Sequence, residues 1–181
     1  MKSIILAGVL ATVSISANAG EFYVLADVGQ SKLEVSFEDA NFSKSDTMFD
    51  LGIGYNLNQN FAFEFAYRDL GGISESDGYA SSSSDLTSLQ LSALGKVPVN
   101  DAMYLYGRLG LARLTADYSL DVYNSSQYDE SGSETKTKAL IGLGMGYNIT
   151  PAASLRVEYI RHAEWDDVTF SSLSVGATYS F

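Results

Sequence analysis

The chain has 181 residues, 46% hydrophobic and 18% charged, with 11 Lys and Arg against 22 Asp and Glu and a formal net charge of -11. That balance excludes a nucleic-acid binder resting on a basic surface, and 16 Gly against 2 Pro with 12% aromatics argues against a disordered chain. With no Cys and a single His there is no disulfide framework, no thiol nucleophile and little material for a transition-metal centre, so packing and backbone pairing must hold the fold.

Lys2, the apolar run from Ile4 to Ala11 and the small-x-small pattern Ala17-Asn18-Ala19 predict a secretory signal peptide over residues 1–19, cut after Ala19. The run is too short for a membrane-spanning helix, which needs about 20 residues. A single domain is expected over 20–181.

From there the dominant period is 2, the alternation of a strand. Eight segments follow. In the first, Phe22, Val24, Ala26 and Val28 oppose Tyr23, Leu25 and Asp27. In the second, Phe49, Leu51, Ile53 and Tyr55 oppose Asp50, Gly52, Gly54 and Asn56. The third sets Phe61, Phe63, Phe65 and Tyr67 against Ala62, Glu64, Ala66 and Arg68. The fourth sets Leu89, Leu91, Ala93 and Val97 against Gln90, Ser92 and Lys96. Met103, Leu105, Leu109 and Leu111 then alternate with Tyr104, Tyr106, Arg108 and Gly110. Ala139, Ile141, Leu143, Met145 and Tyr147 alternate with Lys138, Leu140, Gly142, Gly144 and Gly146. The seventh places Ala153, Leu155, Val157 and Tyr159 opposite Ser154, Arg156 and Glu158, and the last places Leu173, Val175, Ala177, Tyr179 and Phe181 opposite Ser172, Ser174, Gly176, Thr178 and Ser180.

One face of each segment is free of charge at its centre, while the other carries Gly, Ser and charges of both signs, the filling of a narrow barrel. Lipid offers backbone groups no hydrogen bonds, so a sheet crosses a bilayer only when closed on itself. The predicted fold is all-β, an eight-stranded antiparallel up-and-down transmembrane β-barrel of the outer membrane. Alternation alone leaves open a soluble barrel with its apolar face inside. Aromatics at segment ends, Phe22, Tyr55, Phe61, Tyr147, Tyr179 and Phe181, suit an interfacial girdle. Short connections at 57–60, 98–102 and 149–152 alternate with long ones at 30–45, 71–85, 117–134 and 162–168, as periplasmic turns alternate with extracellular loops.

Four strings, EFYVLADVGQSKL (21–33), YLYGRLGLARLTAD (104–117), GLGMGYNITPAASLRVEY (142–159) and SVGATYSF (174–181), resemble the membrane barrel of the outer membrane protein A family. The resemblance implies an interior salt-bridge gate in which a Glu on the third strand meets an Arg on the seventh, matched here by Glu64 and Arg156. A second acid of that network, expected just before Tyr147, is replaced by Gly146. The closing Val175, Ala177, Tyr179 and Phe181 resemble the signal read by the outer-membrane assembly machinery. The resemblance covers the barrel alone, so no cell-wall tether carries over.

Asp27, Asp50, Glu64, Arg68, Arg108, Lys138, Arg156 and Glu158 share the inward face if the barrel is a membrane barrel, and buried charges need partners. The predicted role is structural, supporting the envelope and presenting acidic loops. The alternatives are a narrow ion-conducting pore and a surface adhesin acting through loops 71–85 and 117–134. Loops 71–85, 117–134 and 162–168 hold 3, 5 and 3 acids and no Lys or Arg. Tyr118, Tyr123 and Tyr128 are candidate contacts there. Expected partners are outer-membrane lipid and lipopolysaccharide, with divalent cations or a host surface ligand at the loops; no cofactor, resident metal or nucleic acid is expected, and the chain reads as a monomer. No catalytic residue is assigned: barrel deacylases place a Ser two residues after their His, and Glu164 stands there after His162.

Overall fold

The computed structural model describes residues 22–37, 40–76, 80–122, 130–163 and 168–181. The expected signal peptide, Tyr123, Tyr128 and residues 164–167 lie outside them. The strands are β1 (Phe22–Phe37), β2 (Ala40–Asn56), β3 (Phe61–Ser76), β4 (Ala80–Pro98), β5 (Met103–Val122), β6 (Glu130–Asn148), β7 (Ala153–His162) and β8 (Val168–Ser180). Each pairs antiparallel with the next, and β8 pairs with β1 from Tyr23 opposite Ser180 to Val35 opposite Val168. The barrel is closed, which removes the sheet edges that lipid cannot satisfy.

The alternation of the sequence becomes outside and inside. Leu143, Leu109, Val97 and Leu51 are 71%, 65%, 64% and 62% exposed, whereas Arg68 and Glu158 are 0% and 1% exposed. This settles the orientation that alternation left open: the oily face points outward. A belt of Val, Leu, Ile and Phe that would be costly in water is the surface that acyl chains cover. Aromatic pairs mark one rim of it, Phe22 with Tyr55 at 4.7 Å between ring centroids and Tyr179 with Phe181 at 5.5 Å.

That rim carries three turns built alike. Asn58 Oδ1 accepts from the backbone N–H of Asn60 and Phe61, Asn100 Oδ1 from Ala102 and Met103, and Thr150 Oγ1 from Ala152 and Ala153. The side chain at the second turn position thus satisfies donors that the tight reversal would orphan.

At the other rim the strands run on further than the sequence reading allowed. Where it placed long loops over 30–45, 71–85 and 117–134, β1 and β2 reach Phe37 and Ala40, β3 and β4 reach Ser76 and Ala80, and β5 and β6 reach Val122 and Glu130. The reason is that backbone pairing continues above the apolar belt without any apolar face to announce it. β5 has 20 residues and β7 only 10, against the roughly 9 to 11 that cross a bilayer. The rim is therefore uneven, high over β1 to β6, most of all over β4 to β6, and low at β7 and β8. Gly71, at φ 82, takes up a register shift between β3 and β4 where Asp69 Oδ1 accepts its N–H at 3.0 Å.

Candidate functional site

Inside the barrel, strand stagger brings distant charges to one level. Glu64 of β3 lies between two arginines: Arg108 Nη2 of β5 donates to its Oε2 at 2.5 Å and Arg156 Nη1 of β7 to its Oε1 at 2.9 Å. Tyr23 of β1 donates its hydroxyl to the same Oε1 at 2.7 Å. Arg108 also forks onto Glu158, Nε to Oε1 at 2.5 Å and Nη2 to Oε2 at 3.1 Å. Arg156 forks onto Asp27, Nε to Oδ1 at 2.7 Å and Nη2 to Oδ2. The result is an unbroken chain across the lumen, Glu158 to Arg108 to Glu64 to Arg156 to Asp27, with every member buried. Above it Arg68 Nε and Nη2 both donate to Asp50 Oδ2, and Nη1 donates to Ser172 Oγ at 3.1 Å.

Glycine makes the room. In register, Asp27 faces Gly176, Glu64 faces Gly54, Arg108 faces Gly142, Glu158 faces Gly144 and Arg156 faces Gly146. A barrel of this width holds little beyond its own side chains, so each long charged group is set beside a residue that has none. Tyr23, Tyr106 and Tyr104 use the same device, lying over Gly54, Gly144 and Gly146. The acid that the family resemblance places at 146 would collide with the Tyr104 ring. Here Arg108 reaches Glu158 as well as Glu64.

Of the sequence-predicted interior residues, Asp27, Asp50, Glu64, Arg108, Arg156 and Glu158 are buried and ion-paired. Lys138 shares the inward face, half-buried beside Ala112 and above that level. The sequence reading missed Tyr23 as a ligand of Glu64, although its place on the inward face was visible. It placed Leu25, Ala62, Ala66 and Leu140 on the inward face without assigning them a role. Leu25, Ala62, Ala66 and Leu94 pack with Tyr23 and Tyr106 towards the short-turn end, and Ala112, Leu140 and Ile160 pack towards the other.

At the short-turn mouth a cavity of about 830 Å³ opens, lined among others by Asn56, Lys96, Tyr104, Ser154 and Arg156. Lys96 Nζ donates to Asn56 Oδ1 at 2.8 Å and stands 5.2 and 5.7 Å from the ring centroids of Tyr23 and Tyr104, a cation held over two aromatic faces. Among the described residues no group of three or more His, Cys, Asp or Glu is placed to hold a metal ion. Tyr118 is exposed on β5 and lies over Gly132. Val175, Ala177 and Tyr179 lie on the outward face of β8, with Phe181 just beyond its end.

The outer membrane protein beta-barrel domain profile matches residues 3–181. The chain belongs to that family. This outer-membrane barrel is similar in structure to neisserial surface protein A, at 22% identity and a TM-score of 0.68 over 91% of this chain and 100% of that one. It is similar to Ail, the attachment invasion locus protein of Yersinia pestis, solved with the heparin analogue sucrose octasulfate, at 23% identity and a TM-score of 0.60 over 89% and 99%. The N-terminal barrel domain of Pseudomonas aeruginosa OprF follows at 17% identity and a TM-score of 0.56 over 91% and 100%. At such identities the likeness is one of fold. No curated protein sequence matches the chain.

Proposed function

We propose that this outer-membrane barrel is a side-chain-plugged structural protein of the envelope, exported on a leader cut after Ala19, that presents its extended strands and acidic connections outside the cell. The observation that carries the reading is the ion-pair chain from Glu158 to Asp27, which closes the lumen between the short-turn cavity and the outer rim. A solute crossing this level would have to part guanidinium and carboxylate groups that are each buried, at a cost of several kcal/mol per ion left unpaired. Planar-bilayer recording of the refolded protein tests the point. Little or no current is expected, and frequent discrete channel openings would replace this reading with that of a narrow pore. The mass of the protein purified from outer membranes checks the cleavage after Ala19.

A second reading, surface contact, is favoured by the height of the wall made by β3 to β6. On β6 the pairing with β7 stops at Leu140 opposite His162, with one further backbone bond from Ala163 N–H to Ala139 C=O, while the pairing with β5 continues to Leu120 opposite Glu130. Among the described residues, β6 above Ala139 thus has only β5 as a strand neighbour, and such an edge takes up extended peptide by backbone hydrogen bonds. Replacing 71–85 and 117–134 by short turns is expected to abolish adhesion of bacteria to host or matrix surfaces while leaving the barrel folded. Unchanged adhesion rejects contact through these segments.

A further inference from the structure

The outward face over β7, β8, β1 and β2 changes character in three registered rows. The lowest is apolar: Val157, Val175, Val28 and Phe49. The next is mixed, with Tyr159 and Leu173 beside Gln30 and Thr47. The third is Arg161, Ser171, Lys32 and Ser45, with a cation on each side of a hydroxyl. This is the sequence of environments met on moving from acyl chains to head groups.

Ser171 faces outward by register yet is only 7% exposed, while Lys32 and Arg161 flanking it are exposed. With neighbouring strands about 4.8 Å apart, the two backbone positions stand roughly 10 Å from each other, a span that two long side chains close around a single phosphate. Across β3 to β6 the lowest row runs on from Phe49 into Asp69, Thr87, Thr115 and Thr135, and the exposed Arg113 there stands between Leu89 and Thr137 rather than beside a second cation. On a chain of net charge -11, two outward cations flanking one hydroxyl are a local inversion of the field.

We propose that Arg161, Ser171 and Lys32 form a cradle for a phosphate of an outer-leaflet glycolipid, lipid A being the phosphorylated lipid of that leaflet. The inference rests on the outer-membrane placement. Guanidinium and ammonium donate charge-assisted hydrogen bonds to the phosphate oxygens, and Ser171 adds a neutral donor between them. The apolar rows below receive the acyl chains of the same molecule, so lipid and phosphate are recognised together.

The full chain, refolded in maltoside micelles, is mixed with bisphosphorylated lipid A or with the same lipid after phosphate removal, and native mass spectrometry counts the lipid retained per barrel. Preferential retention of the phosphorylated form is expected. Lys32→Gln and Arg161→Gln should each weaken it about tenfold, or about 1.4 kcal/mol, and the pair should erase the preference. Both positions are exposed, so heat-modifiable migration should persist. A preference unchanged in the double variant overturns the cradle, and shows that the two cations serve only groups of their own chain. Complete displacement of lipid A by an equal concentration of inorganic phosphate overturns it too, making the site a free-anion site. Failure of the unaltered protein to enter lipid vesicles would refute the membrane reading itself, a separate outcome.

Discussion

Glu64 accepts from three side chains on three other strands, and its two arginines are each shared with a further acid. Breaking such a lattice at its centre leaves two buried guanidinium groups facing an uncharged amide. Glu64→Gln is therefore expected to cost about 3 to 5 kcal/mol, read as a fall in the urea unfolding midpoint of the barrel in lipid vesicles. An unchanged midpoint would show that the lattice is not stabilising. The glycine at 146 argues the same point from shape. Gly146→Glu, which restores the acid implied by the family resemblance, would drive a side chain into the ring of Tyr104 and is expected to destabilise by at least about 1 to 3 kcal/mol. A more stable variant would mean that Tyr104 swings away freely. Which residues face the lumen was legible in the sequence, because a charge cannot sit in the middle of an acyl belt and alternation then fixes every other side chain of the strand. Which charges meet was not: Asp27 and Arg156 are 129 positions apart, and only closure of β8 onto β1 puts β7 within reach of β1.

At the scale of the strand, two kinds of pairing hold different halves of the same element. Below Leu140, β6 is bonded to β5 and β7 and stands in the apolar belt, whereas above Ala139 it keeps, among the described residues, β5 alone. Amide exchange at 130–138 is thus expected to be faster than at 141–147 by orders of magnitude, since opening the upper half breaks one ladder in water and opening the lower half breaks two in lipid. Equal protection along β6 would mean that the upper part has a strand neighbour on its other side in the membrane-bound protein. This division also explains what the sequence hid. The lower halves announce themselves by apolar alternation, while the upper half of β6 reads Glu130, Ser131, Gly132, Ser133, Glu134, Thr135, Lys136, indistinguishable by hydropathy from a loop. Polar strands are fixed by hairpin pairing to a partner already held in register, as Thr115 is held opposite Thr135. The turns at the opposite rim were legible because Asn58, Asn100 and Thr150 announce a local reversal whatever surrounds it.

For the whole molecule, closure and unequal rims fix a direction. β1 and β8 meet at the short-turn end, where Phe181 N–H donates to Phe22 C=O at 3.1 Å, so both ends of the barrel wall share the rim of the four-residue turns 57–60, 99–102 and 149–152. The tall wall and the acid-rich connections share the other. Inserting a barrel from the periplasm requires the leading rim to cross the bilayer, and the family arrangement places long connections outside. Because the chain has no Cys, a single introduced thiol reports its own side without background. Asp117→Cys, exposed high on β5, is expected to react on intact cells with a maleimide too large to pass porins. Asn58→Cys, exposed in the first short turn, is expected to react only after the outer membrane is permeabilised. The reverse pattern would invert the barrel: the lipid A cradle would then face the inner leaflet, where no lipid A resides, and the mouth lined by Lys96 and the tyrosines would open to the exterior.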